Sequence, residues 1–314
     1  MKHGNDASLR KLNASQILAH ATFAERKATI GNRLDSMSKY RILAIDIDGT
    51  LVNSDDRLTA ETRSALIRAG EAGIRVILAT GRRYSRTLHL VEPLKIDVPL
   101  VTASGALVKD PLDHCTLYRA EFDQDALSDA LRIIDRTGFD PVMCADTFAE
   151  GFDYYHIRQE ARNSELGEYY RLNPDCGRLW TADVADPPPG VFAVFTMGTK
   201  QQMLDLEAEL HRRVPDKLHT HVLRSPRYIG FMCEFSPAGV NKWSAIKRLA
   251  REWGISEREI CAVGDDVNDI PMIRAAGLGV AMNNAREEVK QAADRIAPGH
   301  DHDGLVEVVE WLLG

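Results

Sequence analysis

Aspartates cluster in this sequence at two places where a hydrophobic run stops. Asp46-Ile47-Asp48-Gly49-Thr50-Leu51 follows the run Ile42–Ile45, and Gly264-Asp265-Asp266-Val267-Asn268-Asp269 follows Ile260–Val263. Two acids at i and i+2 can both face one site if the chain turns there, and Gly49 permits the turn. Asp-x-Asp-Gly alone is equally an Asx turn, so the specificity lies in the whole string behind a buried run. Like charges about 4 Å apart repel by roughly 4 kcal/mol at an effective dielectric near 20, so converging these acids requires a cation or a protonated member. A few hard oxygen ligands with room for water and phosphate suit magnesium. Other groups can hold an anion. Thr80-Gly81-Arg82 offers a hydroxyl and unencumbered amides, and Ser104 follows a third apolar run. Lys242 opens an amphipathic helix beside Gly239, where backbone amides attract negative charge.

These residues need elements to position them. Ile42–Ile45, Val76–Ala79, Val98–Val101 and Ile260–Val263 are near-continuous apolar runs, as strands buried on both faces should be. Between them the spacing predicts a helix over Thr59–Ala72, with Thr62, Ala65, Leu66 and Ala69 on one face, and another ending near Pro93. A helix over Val240–Trp253 places Val240, Trp243, Ile246, Ala250 and Trp253 inward, which makes Trp243 a core residue. After Gly279-Val280-Ala281, Asn284 and Glu287 read as a capping box. Alternation of this kind means parallel βαβ units. Asp46, Thr80, Ser104 and Asp265 then sit at the carboxyl ends of strands, where open parallel sheets bind ligands. The middle, residues 119–234, differs. It holds most of the tyrosines, the Pro187-Pro188-Pro189 loop, a strand at Val191–Met197 and helices at Gln124–Arg136 and Gln201–Arg213, and it reads as an α+β insertion. Residues 1–38 carry scattered bases and a thin apolar stripe, consistent with a helical or disordered extension or a transit peptide.

The 314 residues suit two domains, and 44% hydrophobic with 27% charged residues is ordinary for a globular chain. A formal net charge of −7 argues against a nucleic-acid binder or an anionic-membrane binder. Five cysteines without a C-x-x-C exclude a disulfide framework or zinc site as the first reading, and reduced thiols point to the cytoplasm.

With these strings in order, the chain resembles the haloacid dehalogenase superfamily of aspartate-nucleophile phosphatases, specifically its Cof-type class with a C2 cap. The resemblance covers about 39–314 and rests on the Asp46 string, Thr80-Gly81-Arg82, Gly239-Val240-Asn241-Lys242, the Asp265 string and Gly279–Ala285. It implies an α/β fold with a Rossmann-like parallel-sheet core at 39–118 and 235–314, interrupted by a cap at 119–234. The long stretch from Thr80 to Lys242 is where that family's C2 cap enters. It further implies that Asp46 attacks phosphorus to form an aspartyl-phosphate, while Asp48 serves as acid and then base. The Ile47 and Gly81 amides, Thr80, Lys242 and Asn268 hold the phosphate. Mg2+ is bound by Asp46, the Asp48 carbonyl and Asp265, with Asp266 and Asp269 as ligands or close neighbours. The expected substrate is a small phosphorylated metabolite, a sugar phosphate or phosphorylated cofactor, for a cytoplasmic monomer or weak homodimer. Tyr154, His156, Arg158, Arg162 and Arg227 are candidate cap contacts. Ser104-Gly105 stands where many relatives carry Asn-Gly, and a start at Met37 would match relatives that begin near the first strand. A sugar phosphomutase would move phosphate without net release. A phospho-ligand sensor would need neither Asp48 nor a cap.

Overall fold

The computed structural model describes residues 38–94, 97–224 and 227–314; the extension at 1–37 lies outside the described residues. The first half of the core runs β1 (Ile42–Asp46), α1 (Ala60–Glu71), β2 (Arg75–Ala79), α2 (Leu88–Val91), β3 (Leu100–Thr102), β4 (Leu107–Lys109) and β5 (Thr116–Arg119). The chain then enters a second unit: α3 (Gln124–Arg136), β6 (Val142–Ala145), β7 (Tyr154–His156), α4 (Ser164–Leu172), β8 (Gly177–Leu179), β9 (Val191–Gly198), α5 (Lys200–Arg213), β10 (Leu218–Leu223) and β11 (Phe231–Pro237). It returns through α6 (Lys242–Glu252), β12 (Ile260–Gly264), α7 (Ile270–Ala275), β13 (Leu278–Met282), α8 (Glu287–Lys290), β14 (Arg295–Ala297) and α9 (Gly304–Leu313).

The core sheet has the order β14-β13-β12-β1-β2-β3-β4-β5, parallel as far as β3 and antiparallel beyond it. Covering on both faces explains the unbroken apolar strands. Leu43 and Ile45 pack toward α1 and α9 with Leu66, Ala69, Leu305 and Val308. Ile42 and Ala44 pack the other way, toward α6 and α7 with Trp243, Ile246 and Met272. Trp243 is thus core, as its spacing requires. Register carries the function. Ile45 pairs with Val263 and Asp46 with Ala79, which brings Asp46, Thr80 and Asp265 to one edge of the sheet.

The inserted sheet has the order β10-β11-β9-β6-β7-β8, antiparallel except for β7 with β8. Helices α3 and α5 cover one of its faces through Leu127, Leu131, Met203 and Leu210 against Val194, Cys233 and Phe235. The boundary expected between residues 234 and 235 falls inside β11. That strand runs on to Pro237, because Phe235 still packs under α3 and α5 and the Pro237-Ala238-Gly239 turn is what ends it. On the other side, β5 holds Arg119 in the core sheet.

Two further readings change. The segment before Pro93 is the single turn α2 followed by a 3-10 turn rather than one helix. Asn284 caps nothing, since α8 begins after Arg286 without a side-chain cap. Its amide instead donates to the Gly49 carbonyl at 2.8 Å and its oxygen accepts from the His300 amide, tying two loops together. All five cysteines are free. Among the described residues no helix is long and apolar enough to cross a membrane.

Candidate active site

Four adjacent parallel strands, β12, β1, β2 and β3, end side by side, and the turns after them build the site. After β1 the chain turns through an extended Asp48 and a left-handed Gly49 (φ 74°). Gly49 is required twice over. Its φ suits glycine, and a Cβ there would lie 2.3 Å from Asp265 Oδ2. The turn after β3 also uses Gly105 (φ 103°), where a Cβ would lie 2.2 Å from the Asn241 carbonyl. That close approach seats the start of α6 against the site, and Asn241 caps α6 by a reciprocal pair of bonds with Ser244.

Lys242 is thereby buried, and it is the hub. Its Nζ donates to Asp46 Oδ1 at 2.5 Å and to Asp269 Oδ1 at 2.8 Å. Asp269 is fully enclosed, and its other oxygen accepts from the Asp265 and Asp266 amides, both at 3.1 Å. Asp269 is therefore fully engaged in holding the loop. Asp265 keeps one oxygen on the Thr50 hydroxyl at 3.4 Å. Carboxylate oxygens of Asp46, Asp265 and Asp269 all lie within 4.8 Å of one another. Burial, then Asp269, raises the Asp46 pKa well above the usual carboxylate range, with Lys242 opposing. Burial, then Asp269 and Asp266, raises Asp265 to about 7. Three carboxylates against one ammonium leave an excess of negative charge, and such an all-oxygen donor set fits a hard divalent cation.

Asp48 faces away from that cluster. Its carboxylate is gripped by the Arg82 guanidinium, with Nη2 at 2.7 Å and Nε at 3.1 Å, and accepts from the Thr80 hydroxyl at 3.3 Å. Arg82 also bonds Asp56. Thr80 is buried, and its oxygen accepts from the Arg82 amide. Ser104 approaches from the β3 turn, with its hydroxyl 3.5 Å from where a Gly81 Cβ would stand. Asn268 Oδ1 is buried without a hydrogen-bond partner among the described residues. The Ile47 side chain belongs to the core, so only its backbone is available to a ligand.

The structure thus gathers Asp46, Asp48, Thr80, Gly81, Lys242, Asp265 and Asp269, with Asn268 on the same loop as Asp269, while the Asp266 carboxylate lies outside the three-acid cluster. Arg286 takes the Asp266 carboxylate at 2.9 Å, and its oxygen also accepts from the Val267 amide. Of the cap candidates, Arg158 and Arg162 pair with Asp135 and the buried Asp140, a bracing role within the cap. His156 packs on Tyr170, Tyr154 is buried beside Arg83, and Arg227 is exposed. Arg82 received no role from the sequence, although it completes the Thr80-Gly81-Arg82 string and could have been found there. Glu234, which accepts from Ser104 Oγ at 3.1 Å, gave no sequence signal because its strand pattern is that of any half-buried strand.

Comparison with known proteins points to one family. A family model described as haloacid dehalogenase-like hydrolase matches residues 43–309. The phosphatase YwpJ of Bacillus subtilis is 28% identical over 290 residues, covering 87% of this chain and 100% of the relative. The 5-amino-6-(5-phospho-D-ribitylamino)uracil phosphatase YwtE of the same organism is 29% identical over 290 residues, covering 87% and 98%. The crystal structure of a haloacid dehalogenase-like hydrolase from Bacteroides thetaiotaomicron superposes with a TM-score of 0.71 at 26% identity, covering 87% of this chain and 99% of that one.

Proposed function

The chain belongs to the haloacid dehalogenase-like hydrolases of the Cof type, and from that premise we propose that it is a phosphatase releasing phosphate from small phosphorylated metabolites through an aspartyl-phosphate on Asp46. The observation that carries this reading is the Asp46–Lys242–Asp269 triad, in which a buried carboxylate stands at a strand end with its charge offset by one ammonium.

Asp46 attacks phosphorus, and the bond to the alcohol oxygen breaks. Lys242 offsets the charge that gathers on nucleophile and phosphoryl group. The Thr80 hydroxyl, the Gly81 and Ile47 amides and Asn268 hold the phosphoryl oxygens. Asp48 gives its proton to the departing alkoxide and then takes one from the water that hydrolyses the acyl phosphate. Arg82 orients Asp48 for both steps. Mg2+ would be held by Asp46, Asp265 and the Asp48 carbonyl, with Asp269 behind them, and when bound it supplies charge neutralisation at the phosphoryl oxygens. The carboxylate excess supports this assignment.

One relative is named for a phosphoribitylamino compound, which supports a polyhydroxylated phosphomonoester as substrate here. The inserted unit serves as the C2 cap over the site. A cytoplasmic setting fits the free thiols. In the test, Asp46→Asn loses phosphate release from p-nitrophenyl phosphate by about 10³-fold or more while keeping its fold. Full turnover in that variant, or in wild type with chelated metal, overturns the mechanism.

A further inference from the structure

One face of the inserted sheet is filled by α3 and α5, which pack on Cys233 and Phe235 of β11. The alternate residue Glu234 points to the opposite face, toward the core. There its Oε1 accepts from Ser104 Oγ at 3.1 Å, and Ser104 stands on the turn whose hydroxyl adjoins Gly81. The Ser104 amide also donates to the Thr80 carbonyl at 3.0 Å. Glu234 therefore reaches the phosphate-holding loops from the cap side. Directly across the strand pair in register lies His221 of β10, with Nε2 3.4 Å from the same Glu234 oxygen. That nitrogen is buried and pairs with Glu234 without a well-aligned hydrogen bond.

We propose that Glu234 and His221 form the leaving-group subsite of this enzyme, selecting phosphomonoesters whose alcohol carries further hydroxyl groups. The inference rests on the phosphatase reading above and extends it to the residues that set specificity. A carboxylate only accepts hydrogen bonds, and an imidazolium only donates. A hydroxyl does both, so it can bridge the two. A leaving group without hydroxyls offers neither group a partner while adding to their desolvation, which is how a polar subsite discriminates. Burial disfavours the charged imidazole, but Glu234 and Glu207 outweigh it and raise the His221 pKa, with Lys242 opposing from the catalytic side. His219, next on the same face, is instead lowered by burial and by His221. The pair is thus an ion pair set beside the phosphate loops.

The test compares kcat and KM of the full chain with magnesium on ribitol 5-phosphate and on p-nitrophenyl phosphate, for wild type, Glu234→Gln and His221→Ala. The readout is the ratio of kcat/KM for the polyol phosphate to that for the aryl phosphate. The expected result is a ratio that falls at least fivefold in each variant, mostly through KM on the polyol phosphate. A smaller fall, including an equal loss on both substrates, overturns the proposal and makes the pair a structural tether between cap and core. Glu234→Gln is isosteric and decides the matter alone if His221→Ala does not fold. A wild type that prefers the aryl phosphate overturns the subsite while leaving the phosphatase reading intact. A wild type that hydrolyses neither overturns both.

Discussion

Lys242 holds one positive charge among Asp46, Asp265 and Asp269, and its replacement tests how the carboxylates are balanced. Lys242→Met leaves buried acids without their partner, an arrangement that costs about 3–5 kcal/mol. Urea unfolding at neutral pH should show that loss, and a variant as stable as wild type would contradict it. Asp265 gives the pH dependence. Its pKa of about 7 lies above its unfolded value, so its protonated form is favoured in the fold. That contribution is fully present below about pH 4 and is lost as pH rises through 7. Metal-free protein should accordingly melt lower at pH 8 than at pH 5. Magnesium, which competes with protons for the same oxygens, should raise Tm more at pH 8. Equal increments at both pH values would sink this account.

At the scale of elements, the turn after β1 determines whether the acids meet. Gly49 lets Asp265 approach where a Cβ would otherwise stand. Gly49→Ala should destabilise by about 1–3 kcal/mol through backbone strain. It should also cut phosphate release at least tenfold by displacing Asp265, as denaturation and steady-state kinetics would show. Unchanged kinetics would mean the turn tolerates a side chain. Much of this level was legible. The apolar runs, the Asp-x-Asp-Gly string and the helix starting at Lys242 each carry local signals. Asn284 was misread for a physical reason: an Asn three residues before Glu looks like a cap, yet its partners, Gly49 and His300, come from distant sequence.

At the scale of the whole molecule, the cap is fastened to the core by Arg83. Its guanidinium bonds Asp153 at 2.5 Å and Asn173 at 2.7 Å and lies over the rings of Tyr154 and Tyr169, while Ser85 also donates to Asp153. Both charged side chains are about nine-tenths buried (10% and 9% exposed), so the pair is not screened like a surface bridge. Arg83→Ala should speed hydrogen exchange in β7 and α4 severalfold while leaving the central strands β1 and β12 protected. Uniform protection across the chain would show that the cap is held by other contacts.

The sequence by itself determined the candidate residues and the strand ends they occupy, because a buried parallel strand and the turn after it are written in consecutive residues. It also determined that a separate unit interrupts the core, since the stretch between Thr80 and Lys242 exceeds what the core needs. Only the tertiary structure decided which acids converge. Asp269 braces the loop and Lys242, and Asp266 is drawn off by Arg286, although the two stand three residues apart in one motif. Likewise only the fold set Glu234 beside Ser104. Their partnership spans 130 residues of chain, and it follows from strand register and from the face each side chain takes, which no local pattern encodes.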